Sequence, residues 1–224
     1  MSPADPRLPV VVLISGRGSN LQVIAEQARS GRLPIEIRAV VSDREDATGL
    51  EWARGAGLRC VVLAPRTFAS RHEYDQALAD LVAAHAPGLV VLAGFMRILG
   101  PEFVDRFAGR MLNIHPSLLP RHRGLHTHRR ALEAGDREHG ASVHFVTREL
   151  DGGPAVLQAR VPVRDGDDEA SLAARVLEQE HRIFPRAVGW FARGRLAWRE
   201  GRAWLDGSPL EGPVIVDCAH ELPD

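Results

Sequence analysis

Residues 10–20 read VVVLISGRGSN, an apolar and largely β-branched run that ends in a glycine-containing turn. The segment that follows, LQVIAEQARS, carries apolar side chains at helical spacing. A continuous apolar run indicates a strand that is buried on both faces, as strands of parallel sheets are. The order of strand, glycine turn and helix therefore predicts the first unit of a parallel α/β sheet.

Three further apolar runs follow, with helical stretches between them. The longest of these helical stretches, residues 70–85, separates the third run from the fourth. This alternation predicts an α/β fold with an open, mostly parallel Rossmann-like sheet and helices on both faces. The three runs are residues 35–42 (IEIRAVVS), 58–63 (LRCVVL) and 88–94 (GLVVLAG).

The second half of the chain has a different pattern. RMLNIH (110–115) and ASVHFVTREL (141–150) alternate between apolar and polar residues, and AVLQARVPV (155–163) follows soon after a glycine pair. Alternating strands separated by short connections predict antiparallel additions to the sheet near the C-terminus. A helix over residues 169–193 and a hairpin over 196–207 are also predicted.

The composition is that of an ordinary globular protein, with 45% hydrophobic and 25% charged residues. No linker-like segment divides the chain, so we expect one domain over residues 1–224, of which 207–224 form a polar tail. A formal net charge of -1 gives no field that would attract nucleic acid or a membrane surface. Cys60 and Cys218 are the only cysteines, which predicts no disulfide framework and a cytoplasmic location.

Polar side chains collect where the predicted strands end, and ligands of open α/β sheets bind at that edge. Asn113 and His115 are two residues apart in an extended segment, so they share a face, and Pro116 favours extended backbone at His115. Asp151 reaches the same edge from a separate strand. An amide, an imidazole and a carboxylate together predict a catalytic site, although Asp151 taken alone suits a turn equally well.

The SGRGSN turn, residues 15–20, has two interpretations. One is a phosphate cradle, because glycines permit positive φ and backbone N–H groups at a helix N-terminus bind anions. The other is a purely structural strand-to-helix turn. Leu21 stands where a dinucleotide-binding fingerprint has its third glycine, and Asp43 keeps nicotinamide binding open as a weaker alternative.

Ten histidines raise the question of a metal site. His126 and His128 alternate, and His122, His139 and His144 are near them in the sequence. No H-E-x-x-H motif or cysteine cluster accompanies them, so we predict no functional metal. The sequence also lacks a G-x-S-x-G elbow, which disfavours a covalent hydrolase.

Several stretches of the chain resemble the glycinamide ribonucleotide (phosphoribosylglycinamide) formyltransferase family of purine biosynthesis. NIHPSLLP is similar to text in other folate-dependent formyltransferases, whereas SGRGSN, GLHTHRRAL and QEH narrow the resemblance to the glycinamide enzyme. The stretches keep the family's order and spacing from about residue 10 to residue 184. They are VVLISGRGSNLQ, LAGFMRIL, MLNIHPSLLP, GLHTHRRALEAGDREHGASVHFVTRELDGGP and QEH.

The resemblance implies an enzyme that transfers a formyl group from 10-formyltetrahydrofolate, its co-substrate, to the amine of 5-phosphoribosylglycinamide (GAR). It implies a phosphate-binding half over residues 8–110 and a catalytic and folate-binding half over 111–206, with no metal. It implies small-molecule partners, with no nucleic acid or membrane, and leaves a homodimer open. The implied residues are Asn113, His115 and Asp151 for catalysis; Gly18, Ser19 and Asn20 for the phosphate; Glu180 for the ribose; Arg71 for the folate's carboxylate tail; and Met96, Arg97, Ile98, Leu99, Asn113, Thr147, Arg148, Glu149, Leu150 and Asp151 for the rest of the folate site.

Two positions depart from the family's pattern. Arg123 stands where the family often has proline, so we expect the shape of this loop to differ. Leu177 stands where some relatives carry a polar side chain, so we expect ribose contacts to differ in detail.

The implied chemistry requires no covalent enzyme intermediate. Asn113 would donate a hydrogen bond to the formyl oxygen as negative charge develops there, and His115 would do so as a cation favoured by Asp151. The closest rival is formyltetrahydrofolate hydrolase, in which water replaces the amine; its additional N-terminal domain is disfavoured by a first strand near residue 10. Methionyl-tRNA formyltransferase would require a basic surface. A non-catalytic nucleotide-binding Rossmann module stays open unless the three side chains meet in space.

Overall fold

The computed structural model describes residues 7–217, which form eleven strands and six α-helices. The strands are β1 (Leu8–Ile14), β2 (Ile35–Ser42), β3 (Cys60–Val62), β4 (Leu89–Leu92), β5 (Met111–His115), β6 (Glu138–Phe145), β7 (Ala155–Pro162), β8 (Leu196–Arg199), β9 (Arg202–Leu205), β10 (Ser208–Pro209) and β11 (Val214–Asp217). The helices are α1 (Ser19–Arg29), α2 (Thr48–Gly55), α3 (Arg71–Ala84), α4 (Pro101–Arg106), α5 (Thr127–Glu133) and α6 (Glu169–Ala192).

Eight strands form the main sheet, in the order β11-β7-β6-β5-β4-β1-β2-β3. β1 to β5 run parallel to one another, whereas β6 pairs antiparallel with both β5 and β7. The predicted α/β class, mostly parallel with antiparallel additions toward the C-terminus, is confirmed. β8, β9 and β10 form a separate antiparallel sheet, which contains the predicted hairpin.

The sequence of β1 is continuously apolar because this strand lies inside the sheet and is buried on both faces. Each residue from Val10 to Ile14 is fully buried. Val10, Val12 and Ile14 pack into one core together with side chains of α1 and α6. Val11 and Leu13 pack into a second core with side chains of α3 and α4. Helices therefore cover both faces of the sheet, and neither face of β1 has a place for a polar residue.

The long helix α6 connects the two halves of the sheet. It begins at a capping box, in which the Asp168 side chain accepts a hydrogen bond of 2.8 Å from the N–H of Ser171. From there it packs across β6, β7 and α1. This path carries Glu180, in the middle of α6, to the N-terminal end of α1.

The segment assigned to a tail, residues 207–224, contains structure over part of its length. Val214–Asp217 forms β11 and pairs in parallel with the Leu157–Arg160 part of β7, at the edge of the main sheet. The short apolar run VIVD gives no local sign of this pairing, because its partner is far away in the sequence. Cys218 lies outside the described residues. Among residues 7–217, no helix is long and apolar enough to cross a membrane.

Candidate active site

Asn113 and His115 lie at the carboxyl end of β5 and point to the same side of the sheet, as their spacing predicts. Both line a cavity of about 430 Å³ above the sheet edge. Asp151, from the connection between β6 and β7, lines the same cavity. The structure therefore brings together the amide, the imidazole and the carboxylate from two separate parts of the chain.

The His115 ring is oriented by a backbone carbonyl. Its Nε2 is 3.0 Å from the carbonyl oxygen of His122, and an oxygen of this kind can only accept a hydrogen bond. Nε2 therefore carries a proton. Nδ1 is on the other side of the ring, 3.5 Å from Oδ2 of Asp151, with both side chains nearly buried. Proton exchange at His115 is thus directed to Nδ1, which faces Asp151.

Asp151 is held in an uncommon backbone conformation. Its φ is 48°, in the left-handed region that few non-glycine residues adopt. The backbone N–H of Gly124 donates a hydrogen bond of 2.8 Å to its Oδ2. Two residues later, a Cβ at Gly153 would lie 1.9 Å from the Phe145 carbonyl oxygen, so only glycine fits there. The glycine-rich segment after Asp151 therefore allows two backbone segments to approach each other closely.

His144 is the residue of this site whose role the sequence did not indicate. It lies directly opposite Asn113 in the β5–β6 ladder, and its Nε2 is 3.0 Å from Nδ2 of Asn113. Its Nδ1 is 2.9 Å from the carbonyl oxygen of Phe145, so Nδ1 is the protonated nitrogen. Burial lowers the pKa of His144 to about 4, so the ring is neutral near pH 7 and Nε2 accepts from Asn113.

This contact fixes which way the Asn113 amide faces. One N–H of Nδ2 donates to His144, which leaves the second N–H for a group in the cavity. His144 Nε2 is also 3.7 Å from Oδ1 of Asp151, so the histidine lies between the amide and the carboxylate. The alternation of ASVHFVTREL could have placed His144 on this face, but only the register with β5 assigns it a partner.

The loop that follows His115 is fastened by buried polar side chains. Ser142 Oγ donates to the carbonyl oxygen of Ser117 at 2.6 Å and accepts from the N–H of Leu119 at 3.0 Å. Gln158 Nε2 donates to the carbonyl oxygen of Leu119 at 2.8 Å. These bonds join β6 and β7 to the loop, so the antiparallel strands support the end of β5 that carries the site.

The glycine turn after β1 is shaped by a close approach of two helices. Gly18 has φ of 67° and precedes α1, and a Cβ there would lie 3.1 Å from the Cα of Gly49 in α2. Asn20 Nδ2 donates a hydrogen bond of 2.7 Å to Oε2 of Glu180, and both side chains are buried. Burial raises the pKa of Glu180, while the Asn20 bond opposes that shift.

This turn and the cavity beside Asn113 and His115 share one edge of the sheet. β1 and β5 run parallel with only β4 between them, so their carboxyl ends are separated by about 10 Å, two strand spacings. Asn20 and Glu180 meet at the β1 end, where Gly18 and Ser19 begin α1. Leu177 is on α6, one turn before Glu180.

Several apolar side chains on the wall of the larger cavity are exposed. Met96 and Leu125 are 68% and 67% exposed, and Ile98 and Leu150, which line the same cavity, are 57% and 50% exposed. A second, narrow cavity of about 90 Å³ adjoins Asn113 and Asp151. All predicted folate-site residues except Arg71 line one or both cavities: Met96, Arg97, Ile98, Leu99, Asn113, Thr147, Arg148, Glu149, Leu150 and Asp151.

Arg71 lies beside the cavity and contacts its wall. Its Nη2 donates a hydrogen bond of 2.8 Å to the carbonyl oxygen of Ile98. Asp43, the candidate for a nicotinamide ribose, is already engaged: its Oδ1 accepts 2.6 Å from the hydroxyl of Ser15, and Arg97 Nη1 is 3.9 Å from its Oδ2. The Asp43 carboxylate therefore stabilises the edge of the sheet through its contacts with Ser15 and Arg97.

Arg123, the departure noted in the sequence, forms an ion pair with Glu149, a residue that lines the narrow cavity. Two of the histidines that were considered for a metal, His128 and His139, contact each other. His128 Nδ1 and His139 Nε2 are 3.1 Å apart, and burial lowers the pKa of His139 to about 4. Within the described part of the chain, no group of three or more His, Cys, Asp or Glu side chains could hold a metal ion.

Comparison with known proteins gives one consistent family. The model of the formyl transferase family matches residues 8–188. The phosphoribosylglycinamide formyltransferase of Escherichia coli K12 is 57% identical over 201 residues, which cover 90% of this chain and 95% of that protein. The Haemophilus influenzae protein of the same name is 48% identical over 201 residues, with the same coverage. The solved structure of the Coxiella burnetii phosphoribosylglycinamide formyltransferase superposes with a TM-score of 0.88 at 47% identity, covering 93% of this chain and 99% of that one.

Proposed function

This chain belongs to the phosphoribosylglycinamide formyltransferases, and from that premise we propose that Asn113, His115 and Asp151 carry formyl transfer from 10-formyltetrahydrofolate to the amine of GAR. The products are N-formyl-GAR and tetrahydrofolate, in de novo purine biosynthesis. The observation that supports these roles is the convergence of the three side chains on one cavity at the sheet edge.

The reaction exchanges one carbon–nitrogen bond for another. The GAR amine attacks the formyl carbon, a new C–N bond forms, and the formyl oxygen becomes negatively charged in a tetrahedral intermediate. The bond to the folate nitrogen then breaks and the carbonyl re-forms. The amine loses one proton and the folate nitrogen gains one, so the site must stabilise an oxyanion and move a proton.

Asn113 is suited to the oxyanion. Its amide is oriented by the neutral His144, and its second N–H is available to the cavity. A donor that is already in place stabilises the developing charge without reorganisation in the transition state. His144 therefore acts as a positioning residue for Asn113.

His115 and Asp151 are suited to the proton. Because Nε2 of His115 is bonded to the His122 carbonyl, the proton that moves is the one at Nδ1. Asp151 Oδ2 is 3.5 Å from this nitrogen and can stabilise a protonated ring or accept a proton through water. In this proposal the pair takes the proton from the amine and returns it to the folate nitrogen.

The β1–α1 turn is suited to the GAR phosphate. The N-terminus of α1 offers unpaired backbone N–H groups from Ser19 and Asn20, and Gly18 keeps the approach open. The Oδ1 atom of Asn20 is buried and has no hydrogen-bond partner among residues 7–217. A buried acceptor of this kind is costly unless a ligand donates to it, as a ribose hydroxyl would. Glu180 lies beside it and offers a second acceptor.

The folate is assigned to the two cavities beside the catalytic residues. Its ring systems would contact the apolar side chains of Met96, Ile98, Leu125 and Leu150. These side chains are exposed in the free protein, so a bound aromatic ligand would bury their apolar surface and gain affinity from it. The guanidinium of Arg71 is exposed, and in this proposal it pairs with the carboxylate tail. We further propose that the enzyme acts in the cytoplasm on these two small molecules, without a metal.

An absorbance assay with 10-formyltetrahydrofolate tests the reaction. Tetrahydrofolate should form rapidly when GAR is the acceptor and only at background rate when water is the sole acceptor. Equal rates with and without GAR would assign the site to hydrolysis instead. Replacement of GAR by its dephosphorylated form should raise KM, because the turn at Gly18 would lose its ligand.

A further inference from the structure

The peptide group between Arg123 and Gly124 is held at both of its polar atoms. Its carbonyl oxygen accepts a hydrogen bond of 2.6 Å from Nη1 of Arg130. Its N–H donates a hydrogen bond of 2.8 Å to Oδ2 of Asp151. A guanidinium, a peptide and a carboxylate are therefore joined in one chain of hydrogen bonds.

The carboxylate oxygen at the end of this chain is the one that faces the imidazole. Asp151 Oδ2 lies 3.5 Å from Nδ1 of His115. Asp151 has a left-handed backbone conformation, and residues in such conformations persist where surrounding contacts hold them. The position of Oδ2 relative to His115 thus depends on contacts outside the Asp151 turn, of which the Gly124 N–H is one.

Arg130 acts on this contact from a distance. It is an exposed residue of α5 and lines neither cavity. A cation that donates to the carbonyl oxygen polarises the peptide and strengthens the hydrogen bond given by the N–H at the other end. The side chain of Arg123 adds a second tie between the same two loops, because it pairs with Glu149, two residues before Asp151.

We propose that Arg130 is a positioning residue for formyl transfer, which holds the Asp151 carboxylate against His115 through the Arg123–Gly124 peptide. The proposal rests on the catalytic role of Asp151 proposed above. Its effect falls on turnover, because Asp151 serves proton transfer, and leaves substrate affinity unchanged, because Arg130 is not part of the cavity wall. Water screens an exposed guanidinium, so the loss on its removal is on the order of five- to tenfold rather than hundredfold.

The chain offers a matched control on the same helix. Arg129 is also exposed, but its nearest acidic partner is Glu133 at 3.9 Å, and it does not contact the Arg123–Gly124 peptide. We would measure kcat and KM for both substrates in Arg130→Met, Arg130→Lys, Arg129→Met and Asp151→Asn, together with the thermal unfolding midpoint of each. Arg130→Met should lower kcat on the order of five- to tenfold with both KM values within about twofold, and Arg130→Lys should recover most of kcat because an ammonium can donate to the same carbonyl.

The outcomes separate this proposal from the one on which it rests. If Arg130→Met and Arg129→Met have equal kcat while Asp151→Asn is strongly impaired, the proposed role of Arg130 is overturned. The catalytic role of Asp151 would then still stand. Near-normal kcat in Asp151→Asn would overturn the proposed catalytic set itself. A loss in Arg130→Met that follows a lowered unfolding midpoint, or that Arg130→Lys does not restore, would mean that Arg130 has only a structural role.

Discussion

The two ends of the proposed substrate cleft hold their polar groups by different means. At the β1–α1 turn, the backbone is placed by close packing, with the Cα of Gly49 only 3.1 Å from where a Cβ of Gly18 would be. At the end of β5, side chains are placed by hydrogen bonds to backbone groups: His115 to the His122 carbonyl, and His144 to the Phe145 carbonyl. The first end is formed by the parallel part of the sheet, and the second requires its antiparallel part.

This difference tells what each end is sensitive to. A packed turn offers backbone N–H groups whose direction is set by the helix. Substitutions there should change the packing of the turn and the affinity for substrate. A hydrogen-bonded set of side chains must face the reacting atoms at the correct angle, so changes there act on turnover. The following predictions test that division.

Replacement of the oxyanion donor should have a large effect. Asn113→Ala removes the amide that His144 orients toward the cavity, and loss of one such donor lowers kcat by about 10²–10³-fold. KM for GAR should stay within about threefold, because the proposed phosphate site is at the β1–α1 turn. Steady-state kinetics with GAR and 10-formyltetrahydrofolate measure both constants. A loss confined to KM would erase the distinction between the two ends.

The opposite result is expected at the turn. Asn20→Ala removes a buried side chain whose Oδ1 has no hydrogen-bond partner in the described part of the chain. Loss of one ligand hydrogen bond at such an atom should raise KM for GAR about tenfold. kcat should change by less than about threefold. Gln22→Ala, on the same helix, is the matched control and should leave both constants unchanged. A kcat loss as large as that of Asn113→Ala would show that the turn takes part in the chemistry.

The sequence predicted the parallel half well because its signals are local. The run VVVLI and the turn SGRGSN are contiguous, and both faces of β1 are buried. Asn113 and His115 could be paired because alternation along one strand is also local. The role of His144 depends on the register between β5 and β6, and β11 depends on pairing with β7. Such partners are distant in sequence, so neither propensity nor periodicity identifies them.

The smallest expected effect concerns stability at the turn. Burial raises the pKa of Glu180 above its usual 4.5, so the folded state keeps this proton at pH values where the unfolded chain has lost it. The ionised carboxylate therefore destabilises the fold above its folded pKa, and acidification below 4.5 removes that cost. Glu180→Gln cannot ionise, so it should raise the unfolding midpoint near pH 8 and leave it unchanged near pH 4. A gain that is equal at both pH values would mean that another group titrates.

The turnover of Asp151→Asn tests the central claim most directly, which is that three side chains from distant segments act together on one carbonyl. The asparagine keeps the size of the side chain and an acceptor for the Gly124 N–H, but it carries no charge toward His115. With the unfolding midpoint and KM for GAR close to wild type, kcat should fall by a factor on the order of 100 or more. A folded Asp151→Asn protein with near-normal kcat would contradict the account.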